Sequence, residues 1–266
     1  MNTKSLSPRS LSIIDQYINF KIGNAICSIP YFNNKTIKAR GALGVYVGKG
    51  SPKEISEETE SLLIKNHSVK SSLTNQTLKK LLVDNNIGID CSGFAYYILN
   101  SESEERKSGS LEKNLSLVQV SGFFRKILAS LHPVKNIGVL TFADDKNSCV
   151  IPITDISPGD IITMLGKYDS DLSYADNDRN HILIIHKVDY QDSIPYKIYY
   201  SHAVSYPEHG LYGSGIKQGT IEITNTEKPI TEQVWIENEK QGEQNNIFVR
   251  STRSKTEVRR LKSYKN

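Results

Sequence analysis

The sequence predicts an α+β protein with a mainly antiparallel sheet. Two observations carry this expectation: helix signals fill the first half of the chain, and strand-like runs follow one another through the second. With 266 residues the chain is long enough for one good core, or for one core with an extra lobe. A hydrophobic share of 38% describes an ordinary globular composition.

The elements follow in order. Ser7-Pro8 reads as an N-cap and first-turn proline; Leu11, Ile14 and Ile18 then recur at helical spacing, and Gly23 is expected to end that helix. The glycine-rich stretch from Lys38 to Gly50, with Val45, Tyr46 and Val47, reads as a strand or a loop of special backbone angles. Ser51-Pro52-Lys53-Glu54 is a capping box, and Ile55, Leu62 and Leu63 form the stripe of the helix it opens. A shorter helix presents Leu78, Leu81 and Leu82 and ends near Asp84-Asn85-Asn86-Ile87-Gly88. Another begins at Asp90-Cys91 and is expected to fade at Asn100-Ser101 into a polar loop that runs to Lys113. A further helix carries Phe124, Ile127, Leu128 and Leu131 and stops at Pro133.

Strands are then expected over Ile161–Leu165, Ile182–Val188, Tyr196–Ala203, Thr220–Ile223, Val234–Glu237, Ile247–Arg250 and Val258–Leu261, the last of them in a C-terminal hairpin. No Pro/Gly/Ser-rich linker divides the chain. Residues 1–85 are therefore read as an N-terminal helical segment packed on a main domain, residues 86–266.

Several classes are disfavoured by composition. The longest aliphatic run near a strand, Ile182–Ile185, is far too short for a membrane span, so no membrane is expected. The start of the chain shows no apolar signal region, which points to a cytoplasm-like compartment, with a non-standard export route left open. Three cysteines, Cys27, Cys91 and Cys149, cannot all pair, and none forms a C-x-x-C motif. The net charge of +4 is a small difference between 33 basic and 29 acidic residues. Much of it sits in Arg250, Arg253, Lys255, Arg259, Arg260, Lys262 and Lys265, read as a solvated terminus rather than a nucleic-acid surface.

The chemistry concentrates around Gly88-Ile89-Asp90-Cys91-Ser92-Gly93-Phe94. Asp90 is a good N-cap, which makes Cys91 the first helical residue, where unpaired amides and the helix dipole favour a thiolate. A cysteine nucleophile needs a base, and the base needs a third group to fix its ring. His181, opening an apolar strand after a polar loop, and His202, alternating with Tyr200 and Ile198, supply those two roles. His186 is expected on the opposite strand face from His181, beside Ile184 and Val188, and His209 in a turn. Gly44-Val45-Tyr46-Val47-Gly48-Lys49-Gly50 lacks the spacing of a phosphate loop. The acidic group Asp169, Asp171, Asp176 and Asp178 lacks the glycine and closing glutamate of a calcium loop. Cys91, His181 and His202 lack the compact spacing of structural zinc; neither metal nor cofactor is expected.

Asp90-Cys91-Ser92-Gly93-Phe94 resembles the nucleophile signature of NlpC-type cell-wall endopeptidases. Ser157-Pro158-Gly159-Asp160-Ile161-Ile162 is similar to the turn that opens that family's first core strand. His181-Ile182-Leu183-Ile184-Ile185 and Ser201-His202-Ala203 stand in the places of its histidine strand and third polar residue. The resemblance covers roughly residues 86–204. It implies a papain-like fold, with the nucleophile helix packed on the sheet, and hydrolysis of peptide or amide bonds, usually in peptidoglycan stem peptides. It further implies that Asp90 and Ser92 bind a free substrate amine and that Tyr31 stands beside the oxyanion. The chain departs from the family in two ways. Its nearest Pro-Tyr pair, Pro30-Tyr31, lies two expected helices before the cysteine, and the interval from Cys91 to His181 is long. Three functions remain open at this point: a cysteine hydrolase acting on a peptide or peptidoglycan fragment, a thioester-forming acyltransferase on the same scaffold, and a non-catalytic binding module.

Overall fold

The computed structural model describes residues 1–33, 44–67, 69–117, 133–166 and 180–264. The expected helix through Phe124–Leu131 and the acidic residues Asp169 to Asp178 lie outside the described residues. Elsewhere the chain is α+β. Its strands are β1 (Asn2–Ser5), β2 (Phe20–Ile22), β3 (Ala25–Cys27), β4 (Ser148–Val150), β5 (Ile161–Gly166), β6 (His181–Gln191), β7 (Ile194–Val204), β8 (Gly215–Glu222), β9 (Val234–Glu237), β10 (Lys240–Gln241) and β11 (Ser254–Leu261). One sheet runs β10-β9-β8-β7-β6-β5-β11-β4, with β1 on the later half of β6, and every pairing in it is antiparallel. β2 and β3 form a separate hairpin.

Local chemistry sets the helices. Ser7 caps α1 (Pro8–Ile18) by accepting from the Ser10 amide, and the capping box at Ser51 opens α2 (Pro52–Lys65). Thr74 caps α3 (Asn75–Asp84), and Asp90 caps α4 (Cys91–Glu105) by accepting from the Gly93 amide. The inward faces of α1 to α4 join Ile161, Ile182, Ile184, Ala203 and Leu261 in one core on one side of the sheet. The other side buries a second core around Trp235, with Met164, Leu183, Ile185, Tyr200 and Val258. Residues before 85 share the first core with residues of the sheet, and this N-terminal segment brings strands as well as helices.

Several expectations are corrected. Gly23 does not end α1; the helix stops at Ile18, and Gly23, at φ +59°, turns the β2–β3 hairpin. Val45 to Val47 lie in a 3-10 turn, Gly44–Val47, not a strand. α4 continues past Ser101 to Glu105, because the buried Glu102 carboxylate gains both the Ser7 amide and the Arg106 guanidinium. Ile247–Arg250 is helical, within Asn246–Thr252, because the Asn245 side chain accepts from the amides of Ile247 and Phe248. The terminal strand makes no hairpin; β11 inserts between β5 and β4. Its arginines are not solvated either. Arg259 is buried on Ser148 and Glu257, with Asp145 beside it, and Arg260 grips both oxygens of Asp160 at 2.7 Å, locking the Pro-Gly-Asp turn to the sheet.

Candidate active site

α4 packs against β6 and β7 with its N-terminus at their open end. The β6–β7 ladder runs from Gln191↔Ile194 to Ile184↔Ser201 and ends there, while β7 stays paired with β8 as far as Val204. Ile182 therefore keeps an amide that β7 does not take. That amide donates to the Cys91 sulfur, which sets the thiol one residue from His181.

Side chains of β7 and β9 meet across β8 because Gly219, the cross-strand partner of both Tyr200 and Glu237, puts no side chain between them. His181 and Met164 are cross-strand partners, and alternation places His181 with Leu183 on the Trp235 side of the sheet. His181 Nε2 lies 2.7 Å from His202 Nδ1, and His202 Nε2 lies 2.7 Å from Glu237 Oε2. The Tyr206 hydroxyl donates to Glu237 Oε1 at 3.2 Å. All four side chains are buried. One arrangement of the protons leaves a basic nitrogen at the end of this chain. Glu237 accepts from His202 Nε2–H, His202 Nδ1 accepts from His181 Nε2–H, and the lone pair of His181 is left on Nδ1.

Electrostatics follow from burial and neighbours. Burial alone would raise the Glu237 carboxyl, but the His202 ring and the Tyr206 and Tyr200 hydroxyls outweigh it and hold the group below its ordinary range. His181 is pushed well below the usual imidazole value, first by burial, then by the Arg250 guanidinium and by His202. The resting imidazole is thus neutral and able to accept a proton.

The thiol corrects a sequence expectation. A helix N-terminus favours thiolate, yet burial pushes Cys91 up to about 11, with the Asp90 carboxylate adding to the rise. Lys49, Arg250 and the Ile182 amide act in the opposite direction and do not overcome burial. At rest the pair is a neutral thiol and a neutral imidazole.

Tyr31 reaches the site despite its distance in sequence. It bridges Ile89 in parallel register, with the Ile89 amide on the Pro30 carbonyl at 3.0 Å and the Phe32 amide on the Ile89 carbonyl at 3.2 Å. Burial, then the charges of Cys91 and Asp90, keep its phenol protonated. Helices α2 and α3 form an excursion between two segments that meet side by side, which explains why the Pro-Tyr pair is remote from the cysteine.

Asp90 and Ser92 flank Cys91, but the chain supplies its own ammonium to them. Lys49 Nζ lies 2.7 Å from Asp90 Oδ1 and 2.5 Å from Ser92 Oγ. Sequence reading missed this lysine, although its position between Gly48 and Gly50 marks a loop made for close backbone approach. It also missed Glu237. The available signal was a carboxylate two residues after Trp235, on the inward face of a strand. Arg250 was read as part of a basic tail; it acts on Tyr31, Cys91, His181 and Tyr206 alike.

The other candidates fall outside the site. His186 sits at a bulge between Ile185 and Lys187, so Ile184 and Val188 face different cores rather than sharing a side with it; its ring bonds the Ser201 hydroxyl at 2.9 Å. His209 is in the turn Pro207–His209, and Cys27 and Cys149 are free thiols. Among the described residues no group of three or more His, Cys, Asp or Glu side chains is placed to hold a metal ion. Nor is any described helix long and apolar enough to cross a membrane. Comparison with protein-family models, curated proteins and solved structures finds no match to this chain.

Proposed function

We propose that the protein is a cysteine hydrolase of papain-like architecture that cleaves a peptide or amide bond, with peptidoglycan stem peptides as the substrate class the motif resemblance favours. The observation that carries this reading is the buried chain Glu237–His202–His181, which ends on β6 one residue from Ile182, whose amide meets the sulfur at the start of α4. Burying a carboxylate with two imidazoles costs several kcal/mol in desolvation that apolar side chains would not incur. Such a chain is characteristic of sites that must hold one tautomer and move one proton.

In this mechanism the substrate carbonyl enters at the open end of β6 and β7. His181 Nδ1 takes the Cys91 proton as the sulfur attacks, so the strong nucleophile exists only during the reaction. His202 fixes the ring and shares the positive charge that develops on His181, and Glu237 stabilises that charge from behind. The Cys91 amide, at the helix N-terminus, and the Tyr31 hydroxyl hold the oxyanion; a donor of this kind contributes about 2.7–4 kcal/mol. His181 then returns the proton to the leaving amine, and water resolves the thioester.

The test is digestion of purified peptidoglycan and synthetic stem peptides, with new amines and carboxylates identified by mass spectrometry. The wild type is expected to release both termini at one bond, and Cys91→Ala to lose at least about 10⁴-fold in rate. Full activity in Cys91→Ala ends the proposal. Products that carry the acyl group on an added amine, rather than as a free carboxylate, would reassign the chemistry to acyl transfer.

A further inference from the structure

Lys49 reaches the start of α4 on a loop pressed against it. The Asp90 amide donates to the Gly48 carbonyl at 2.9 Å, and Gly48 has φ +73°. A Cβ on Gly48 would stand 2.3 Å from the Phe32 carbonyl oxygen, and one on Gly93 would stand 2.7 Å from the Gly48 carbonyl oxygen. Only glycines at both places allow this approach.

The approach delivers one ammonium to a fully arranged set of acceptors. Nζ donates to Asp90 Oδ1 at 2.7 Å, to Ser92 Oγ at 2.5 Å and to the Ile137 carbonyl at 2.9 Å, which uses all three of its protons. Asp90 Oδ1 also accepts from the Gly93 amide at 2.6 Å and from the Ser92 hydroxyl at 3.0 Å, so this oxygen takes three hydrogen bonds from within the chain. Lys49 is only 6% exposed, so bulk water and salt screen this charge weakly.

We propose that Lys49 is a specificity-determining residue: its ammonium occupies the position beside Cys91 where a free substrate amine would bind, so the site selects acyl groups whose amine is blocked or already in a peptide bond. The proposal deepens the hydrolase reading and rests on it. A second ammonium at this place would find Asp90 Oδ1 and Ser92 Oγ already bonded to Lys49 and would meet a like charge at short range in a poorly screened environment. An amide or acylated amine meets neither obstacle.

The test uses stem peptides matched in all but one respect, a free or an acetylated amine on the residue that supplies the scissile carbonyl. Wild-type protein is expected to favour the acetylated peptide at least about tenfold in kcat/KM at pH 6.5. The preference should shrink as pH rises through about 8, where an α-amine loses its charge. Lys49→Met, which keeps the apolar stem as far as Cε and removes the ammonium, is expected to bring the two rates within about threefold. Equal wild-type rates, or an unchanged preference in Lys49→Met, overturn the proposal and leave the hydrolase reading standing.

A second measurement needs no turnover. Lys49→Ala vacates the space of three methylenes and an ammonium, and n-propylammonium chloride is expected to raise its melting temperature saturably above an equal concentration of sodium chloride. The wild type should show no such difference. A folded Lys49→Ala that does not respond refutes the ammonium site. Should that variant not fold, the pH dependence of the wild-type peptide preference decides. If the wild type cleaves neither peptide, the hydrolase reading fails while the propylammonium result still decides the ammonium site.

Discussion

The two ends of strand β6 differ in one structural respect, and that respect separates scaffold from site. Over Lys187 to Tyr190 the strand is paired on both sides, with β1 and with β7. Polar side chains there form a network at the sheet's margin, as in the bonds from Thr3 and Tyr199 to Asp189 at 2.7 and 2.9 Å. Over His181 to Leu183 the β7 ladder is absent and the polar groups are buried: a thiol on the Ile182 amide, then two imidazoles and a carboxylate in line. Where backbone pairing is complete, polar side chains have nothing to repair. Where pairing stops inside the protein, the Ile182 amide meets a side chain instead, the Cys91 thiol, next to the residue that begins the row of buried imidazoles and carboxylate.

The largest expected effect sets the two histidines of this strand against each other. His181→Gln should lower kcat by about 10³-fold, the usual scale for loss of a general base, while His186→Gln should leave activity within about twofold. Both rings are depressed by burial, His186 to about 4. In the unfolded chain each takes a proton near 6.5. As pH falls below that value the unfolded state therefore binds protons that the folded state does not, and stability falls with it. Melting curves from pH 7 to 5 should show a shallower loss in either variant than in the wild type. Equal activity losses in the two variants would dissolve the distinction between the strand's two ends.

The next effect concerns the resting thiol. With Cys91 pushed up from 9.0 to about 11, iodoacetamide should modify it about 100-fold more slowly at pH 7 than an exposed cysteine. Its rate should climb close to tenfold per pH unit above that. Rapid alkylation at pH 6 would show a preformed thiolate instead.

A smaller effect probes the far end of the chain of hydrogen bonds. Glu237→Gln preserves shape but offers His202 either an amide oxygen without the charge or an amide N–H that forces the opposite tautomer. A fall of about 10²-fold in kcat is expected, with little change in KM. A change confined to KM would mean that Glu237 shapes the cleft rather than the proton path. The smallest effect belongs to the closed end: Thr3→Val removes the bond to Asp189 and should lower stability by about 1 kcal/mol in denaturant melts, with activity intact.

How much of this was readable beforehand depends on whether the cause was local. Caps are local, so Ser7, Ser51 and Asp90 marked their helices correctly, and Val234–Glu237 was placed as the strand it is. Alternation is local too, but a bulge breaks it without changing composition, which is why Ile184 and Val188 parted company. The order Cys91, His181, His202 was visible in the motifs, and the bond between the two imidazoles is consistent with it. Burial was not visible. The helix start argued for a thiolate, and desolvation, a property of the whole fold, overrode it. Lys49 and Glu237 carry no motif of their own; they enter through a glycine-lined approach and through the inward face of a distant strand. The short helix Asn246–Thr252 was hidden because Ile247 to Val249 favour strands, and a single cap at Asn245 decided otherwise.

The central claim is that the Cys91 sulfur attacks with His181 as its base. Acid quenching during a single turnover with a stem peptide, followed by peptide mapping, tests it most directly. An acyl group should appear on the fragment containing Cys91 and build up about 10³-fold more slowly in His181→Gln. Hydrolysis without any adduct on Cys91, or an adduct that forms equally fast without the His181 imidazole, would contradict the account.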